Sequence, residues 1–229
     1  MNTPPPESNW YHEEADVQYH AHVFSGDDFV RATIARNRAL KLQPLIDESD
    51  RVLEYGVGIG LNLRDLRCRE RVGFDLSGYG REVCEAAGID FTNKLDDLSG
   101  RRFDKVICHH VLEHVPGPLD TLRVIGDVLE PGGQLILVVP FERERRFYRH
   151  DPEDIHRHLY SWNPLSLGNL LDEAGLTVRS VGLGPTGAEQ RLAPLAKAGF
   201  GLYRFGLWAL RLLVPMKEII AIAERKPSQ

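Results

Sequence analysis

Cysteine is scarce in this chain. Cys68, Cys84 and Cys108 are an odd number without paired spacing, which excludes a disulfide framework and suits reduced thiols in a cytoplasm. Long apolar runs are missing as well, since none approaches the roughly 20 residues that cross a bilayer. The opening stretch MNTPPPESNW has no basic region followed by an apolar one, so a signal peptide is not expected. Nor is there an excess of positive charge. The 28 Lys+Arg are outnumbered by 33 Asp+Glu, for a formal net charge of −5, which argues against nucleic acid as the partner. No internal repeat is found. What the chain does have is 229 residues, 42% hydrophobic and 27% charged. That is enough for one sizeable, cytoplasmic α/β domain with an appendage.

The chain is organised around RVLEYGVGIGLNL, Arg51 to Leu63. Arg51 to Tyr55 reads as a short buried strand. Gly56, Gly58 and Gly60 then occupy every second position, and Leu61 to Leu66 begins a helical pattern. Strand, glycine-rich turn and helix together bring free backbone N–H groups close to a ligand. The next strand-like run, Glu70 to Phe74, ends in Asp75, 19 residues beyond Gly56. A carboxylate there can accept both hydroxyls of a ribose, which calls for a nucleoside-containing cofactor. A dinucleotide fits poorly, because G-x-G-x-x-G needs a third glycine where Leu61 stands.

The pattern present is E-x-G-x-G-x-G, from Glu54 through Gly56, Gly58 and Gly60. It resembles motif I of the class I S-adenosylmethionine-dependent methyltransferases, and three further blocks agree. GFDLS (Gly73 to Ser77) resembles the acidic second motif, FDKVICHHVLEHV (Phe103 to Val115) the fourth strand and the helix after it, and LEPGGQLILVVP (Leu129 to Pro140) the turn into the fifth strand. The resemblance covers roughly 47–177. It implies a Rossmann-like, seven-stranded and mostly parallel sheet with flanking helices, and S-adenosylmethionine as cofactor. It also implies that Glu54 organises the methionine end, that Leu76 packs on adenine, and that His109 lies near the methionine portion.

Taken in order, 1–26 reads as an N-terminal arm whose segment Trp10 to Phe24 either folds over the cofactor pocket or packs on the domain edge. Asp27 or Asp28 can cap a helix from Phe29 to about Leu42. Residues 27–183 form the cofactor-binding domain. Within it a second helix is expected over Gly78 to Ala87, a helix from Val111 interrupted around Pro116 and Pro118, and another over Leu119 to Leu129. The fifth strand is expected over Gln134 to Val139, and Asn163 or Ser166 starts the next helix. Residues 184–217 read as an apolar helical insertion, and 218–229 as the last strand, antiparallel, with a tail.

Histidine concentrates in two places. His110-Val111-Leu112-Glu113-His114 spells H-x-x-E-H, and two histidines four apart share a helical face, as metal ligands can. No third ligand stands out in sequence, so no metal is expected. His156, His158 and Tyr160 alternate after the fifth strand, on the side where such sheets bind ligands. His110, His156 and His158 are therefore the candidate bases for proton removal from an acceptor hydroxyl. This favours O-methylation of a small-molecule or sugar-type acceptor. N- or C-methylation, or a non-catalytic module that binds the cofactor and regulates a partner, are the alternatives. Arg143, Arg145, Arg146 and Arg149 are either a solvated face or the contact for an anionic acceptor. The aromatic and leucine-rich run around Trp208 suits a lid, a homodimer contact or, for a lipid-linked acceptor, peripheral contact with a membrane.

Overall fold

The computed structural model describes residues 27–142, 150–151, 154, 156–213 and 217–226. The N-terminal arm and the arginine run lie outside the described residues. Strands β1 (Arg51–Tyr55), β2 (Glu70–Phe74), β3 (Asp90–Thr92), β4 (Phe103–His109), β5 (Leu129–Pro140), β6 (Leu176–Pro185) and β7 (Lys217–Arg225) form one sheet in the order β3-β2-β1-β4-β5-β7-β6. The pairs among β1 to β5 are parallel, and β7 runs antiparallel to both β5 and β6. This is the expected Rossmann-like, seven-stranded architecture.

Burial on both faces explains the apolar strands. Val52 and Leu53 are adjacent in β1, so their side chains leave opposite sides of the sheet. Val52 joins a cluster with Ala39 and Leu42, while Leu53 joins one with Leu122, Ile125 and Leu167. Helix α1 (Asp28–Leu42) and helix α2 (Arg81–Ala86) cover the first face. Helices α3 (Pro118–Val128) and α4 (Pro164–Glu173) cover the second. Helix starts follow capping chemistry. The Asp27 carboxylate accepts from the Val30 N–H at 2.9 Å. At α4 both expected residues act together: Asn163 accepts from the Ser166 N–H, and the Ser166 hydroxyl accepts from the Asn163 N–H.

Three local expectations are corrected. Leu61 to Asp65 forms turns rather than a helix, stitched by Gly60 O accepting from the N–H groups of Leu63 and Arg64. Its leucines are buried on more than one side, and the chain must enter β2 only a few residues later. After β4, residues 112–114 make a single turn, and regular helix waits until Pro118, whose ring suits a first-turn position. Strand β5 starts at Leu129, because Leu129 already pairs with Phe103 before a register shift.

Between β6 and β7 lie α5 (Glu189–Leu192), a 3₁₀ segment (Ala193–Lys197) and α6 (Phe200–Leu213). Tyr203 and Leu207 of α6 pack with Ala193 against Val30 of α1. Leu202, Phe205, Trp208, Leu212 and Leu213 face outward. The segment is tied to α1 by one carboxylate. Glu189 accepts from Asn37 Nδ2 at 2.7 Å, Arg38 Nε at 3.0 Å and Lys41 Nζ at 2.8 Å. Burial opposes its charge, but Arg38 and Lys41 outweigh that and hold its pKa down to about 2. A depressed carboxyl stabilises the fold above its unfolded pKa, and that stability is lost as pH falls through the folded value. Glu189→Gln should therefore destabilise the protein by on the order of 3 kcal/mol at pH 7. The difference from wild type should shrink between pH 4.5 and 2, as read by denaturant unfolding across that range.

Candidate cofactor and acceptor site

The site is built where β1, β2 and β4 end together. Gly56, Gly58 and Gly60 all have positive φ, at 81°, 52° and 76°, a region open mainly to glycine. The Gly56 and Val57 N–H groups donate to Phe74 O at 2.7 and 3.0 Å, folding the turn onto β2. A Cβ on Gly56 would stand 2.2 Å from Val111 Cγ2. The turn after β1 and the turn after β4 are thus in contact through that missing side chain.

Asp75 ties this turn down. Its Oδ2 accepts from the Gly58 N–H at 2.8 Å and its Oδ1 from the Ser77 N–H at 3.0 Å. The carboxylate therefore has a structural task that the ribose expectation overlooked. A carboxylate offers about four lone-pair sites, so the two tasks are compatible. Leu76, next along, is half-buried against the main core. Glu54, at the end of β1, is buried; Asn62 Nδ2 donates to its Oε1, and among the described residues its Oε2 has no hydrogen-bond partner. Burial raises its pKa to about 8, against the opposing effect of Asn62. Asn62 in turn accepts from Arg38 Nη1 at 3.3 Å. Sequence reading missed Asn62 and Arg38, which lie outside the glycine motif.

On the β4 side, His109 and His110 stack with ring centroids 4.5 Å apart. Burial, then the neighbouring His110, pushes the His109 pKa well down, so it is a neutral imidazole. His110 takes a left-handed backbone, φ 55°, and its N–H donates to Val138 O at 2.8 Å. Its Nε2 stands 3.6 Å from Oε2 of Glu218 at the start of β7. Burial opposes the Glu218 charge, but His110, Thr186 and Lys41 outweigh it and lower the pKa. Glu218 was missed too. The available signal was a carboxylate opening an apolar alternation, beside Pro140 in the pairing of β5 with β7.

The other histidines divide. His156 is exposed, with its N–H on Asp154 Oδ1 at 3.2 Å. His158 turns inward, and its Nδ1 pairs with Glu142 Oε1. Burial disfavours its charge, yet the bond to Glu142 and the charges of Glu113, Glu142 and Asp154 raise its pKa. His158 also meets the edge of His114 at 4.8 Å between ring centroids. Its loop docks on the turn after β4, where Glu113 O accepts from the N–H groups of Leu159 at 2.7 Å and Tyr160 at 3.2 Å. His110 and His158 thus come to the same turn, while the His156 ring, 5.7 Å from that of His158, faces solvent.

A family model described as "Methyltransferase domain" matches residues 19–181. Among curated proteins, the chain is similar to ubiquinone biosynthesis O-methyltransferases. That of Nitrosospira multiformis is 30% identical over 57% of this chain and 64% of its own length, and that of Alkalilimnicola ehrlichii 30% over 39% and 41%. The chain therefore spans about two fifths to under two thirds of these relatives. Among solved structures, this chain is similar to a methyltransferase from a complex with the Trm112 methyltransferase activator of Haloferax volcanii, at TM-score 0.63, 19% identity, and coverage of 93% of this chain and 98% of the other. Another is the 1,6-didemethyltoxoflavin-N1-methyltransferase of Burkholderia thailandensis with S-adenosylhomocysteine bound, at TM-score 0.62, 18% identity, and coverage of 99% and 93%. At these identities the structural likeness concerns the fold.

The residues present fit S-adenosylmethionine. A buried carboxylate oxygen without a partner among the described residues, Glu54 Oε2, suits a guest bearing an ammonium and a sulfonium. With a pKa of about 8, Glu54 is mostly protonated at pH 7, and a cation bound beside it lowers that pKa. Binding of S-adenosylmethionine at pH 7 should then release up to about one proton per site. Calorimetric titration in buffers of different ionisation enthalpy reads this count. Glu54→Gln should weaken binding and abolish the release; an unchanged count in that variant removes Glu54 from the site.

Proposed function

The chain belongs to the methyltransferase-domain family, the class I S-adenosylmethionine-dependent methyltransferases, and on that premise we propose that it methylates a hydroxyl of a small-molecule acceptor. The relatives named as O-methyltransferases support the choice of oxygen. The observation that carries it is the setting of His110. It follows β4, one residue from the Val111 that seats on Gly56, and its Nε2 is 3.6 Å from Glu218. Bound cofactor supplies a methyl group made electrophilic by its sulfonium. The chain supplies orientation and a base. In this reading His110 would take the proton from the acceptor hydroxyl, leaving its oxygen free to receive the methyl group that bound cofactor would supply. Glu218 balances the imidazolium so formed. His158, held by Glu142, and His156, facing solvent, are not the base in this reading.

An acceptor panel of phenols, catechols, sugars and amines, read by S-adenosylhomocysteine release, tests the reaction class. Hydroxyl acceptors should turn over and amines should not. On the working acceptor, His110→Ala should lower kcat by about 10²–10⁴ while cofactor affinity stays near wild type. Full turnover in that variant would show that positioning alone drives transfer.

A further inference from the structure

H-x-x-E-H after β4 has no third ligand in sequence, but the fold supplies one. Glu113, His114 and His158 bring one ligand atom each within 4.8 Å of one another. Glu113 and His114 come from the turn after β4, and His158 from the loop that crosses it. Glu113 is fully buried, and among the described residues neither of its carboxylate oxygens has a hydrogen-bond partner. His114 Nε2 and His110 Nδ1 stand 3.9 and 4.0 Å from its Oε1, beyond hydrogen-bond reach. A buried carboxylate with both oxygens unsatisfied is costly unless something cationic meets it.

The surroundings have the form that metal ligands take. A ligating histidine commonly gives its second ring nitrogen to a carboxylate or a backbone group, which fixes the ring. His158 does this through Nδ1 with Glu142, and His114 hydrogen-bonds the backbone of His156. Two imidazoles and one carboxylate suit a borderline divalent ion such as zinc, with a coordination position left over.

From this geometry we infer that Glu113, His114 and His158 form a divalent transition-metal site of the zinc type. The ion would pin the 156–160 loop to the turn after β4, next to His110. Glu142 is then a positioning residue that holds His158. The inference concerns metal content and stands apart from the methyl-transfer proposal.

The test uses the full chain, purified without chelators and with any affinity tag removed. Elemental analysis should find about one equivalent of zinc or another first-row divalent ion per chain. After chelation and dialysis, zinc alone should rebind with 1:1 stoichiometry, and cobalt should give the visible absorption of a low-coordinate site. His158→Ala should lose the metal, and Glu142→Gln should weaken zinc binding by about 10–100-fold. His158 is only half-buried, so its variant tests the site even if Glu113→Gln fails to fold. His110→Ala should keep the metal. No bound metal and no saturable zinc uptake would overturn the proposal, as would wild-type uptake in His158→Ala. Loss of metal in His110→Ala alone would also overturn it, and would point to the neighbouring His109, His110 and Glu218 group.

Discussion

The ligand end of this sheet depends on the contact between two turns. Strands β1 and β4 are direct neighbours in parallel register, with Tyr55 opposite Cys108. The chain therefore leaves both strands at nearly the same level, and the turns beyond them must share one space. Glycine makes that space. A side chain at 56 would overlap Val111, one at 73 would meet Val57 at 2.8 Å, and one at 80 would meet Gly58 O at 1.8 Å. With those side chains absent, Phe74 O and the Asp75 carboxylate can close the turn after β1 by hydrogen bonds. Val111, which follows the histidines after β4, then seats on Gly56 of the turn after β1.

Buried acids define what the rest of the site can do, and they differ in how they are satisfied. Glu189 has three donors, two of them cationic, and stays ionised far below the usual carboxylate range. Glu54 has one amide donor, and burial dominates, so its pKa rises. Glu113 has no side-chain donor to its carboxylate among the described residues, and burial raises its pKa as well. The first is a finished structural bond. The other two carry unspent capacity for a cation, one beside the glycine turn and the other beside the histidines. That difference separates scaffold from site more sharply than burial alone.

Much of this was legible in the sequence, for physical reasons. Strands covered on both faces must be apolar throughout, so β1, β2, β4 and β5 announce themselves. Glycines with forced positive φ mark the turn after β1 as plainly. The turn at 61–65 was misread because Leu61, Leu63 and Leu66 are all buried, and buried spacing imitates helical spacing. Partners from distant elements left no local trace. Arg38 and Asn62 reach Glu54 from α1 and from the turn, and Glu218 reaches His110 only because β7 inserts between β5 and β6. His158 was visible as a histidine near the site, but its closeness to Glu113 and His114 depends on how its loop docks. A scan for a third ligand at short spacing could not find it.

The segment between β6 and β7 bears on the site from two directions. At its start, Glu189 grips Arg38, and Arg38 also donates to the Asn62 that bonds Glu54. At its far end, α6 leads into β7, whose second residue is the Glu218 beside His110. Glu54 and Glu218, the buried carboxylates on either side of the candidate site, are therefore both linked to this one segment. Helix α6 itself adds a packed inner face, with Tyr203 and Leu207 anchored beside α1. The insertion belongs to the construction of the site, even though none of its helices supplies a residue of the glycine or histidine motifs.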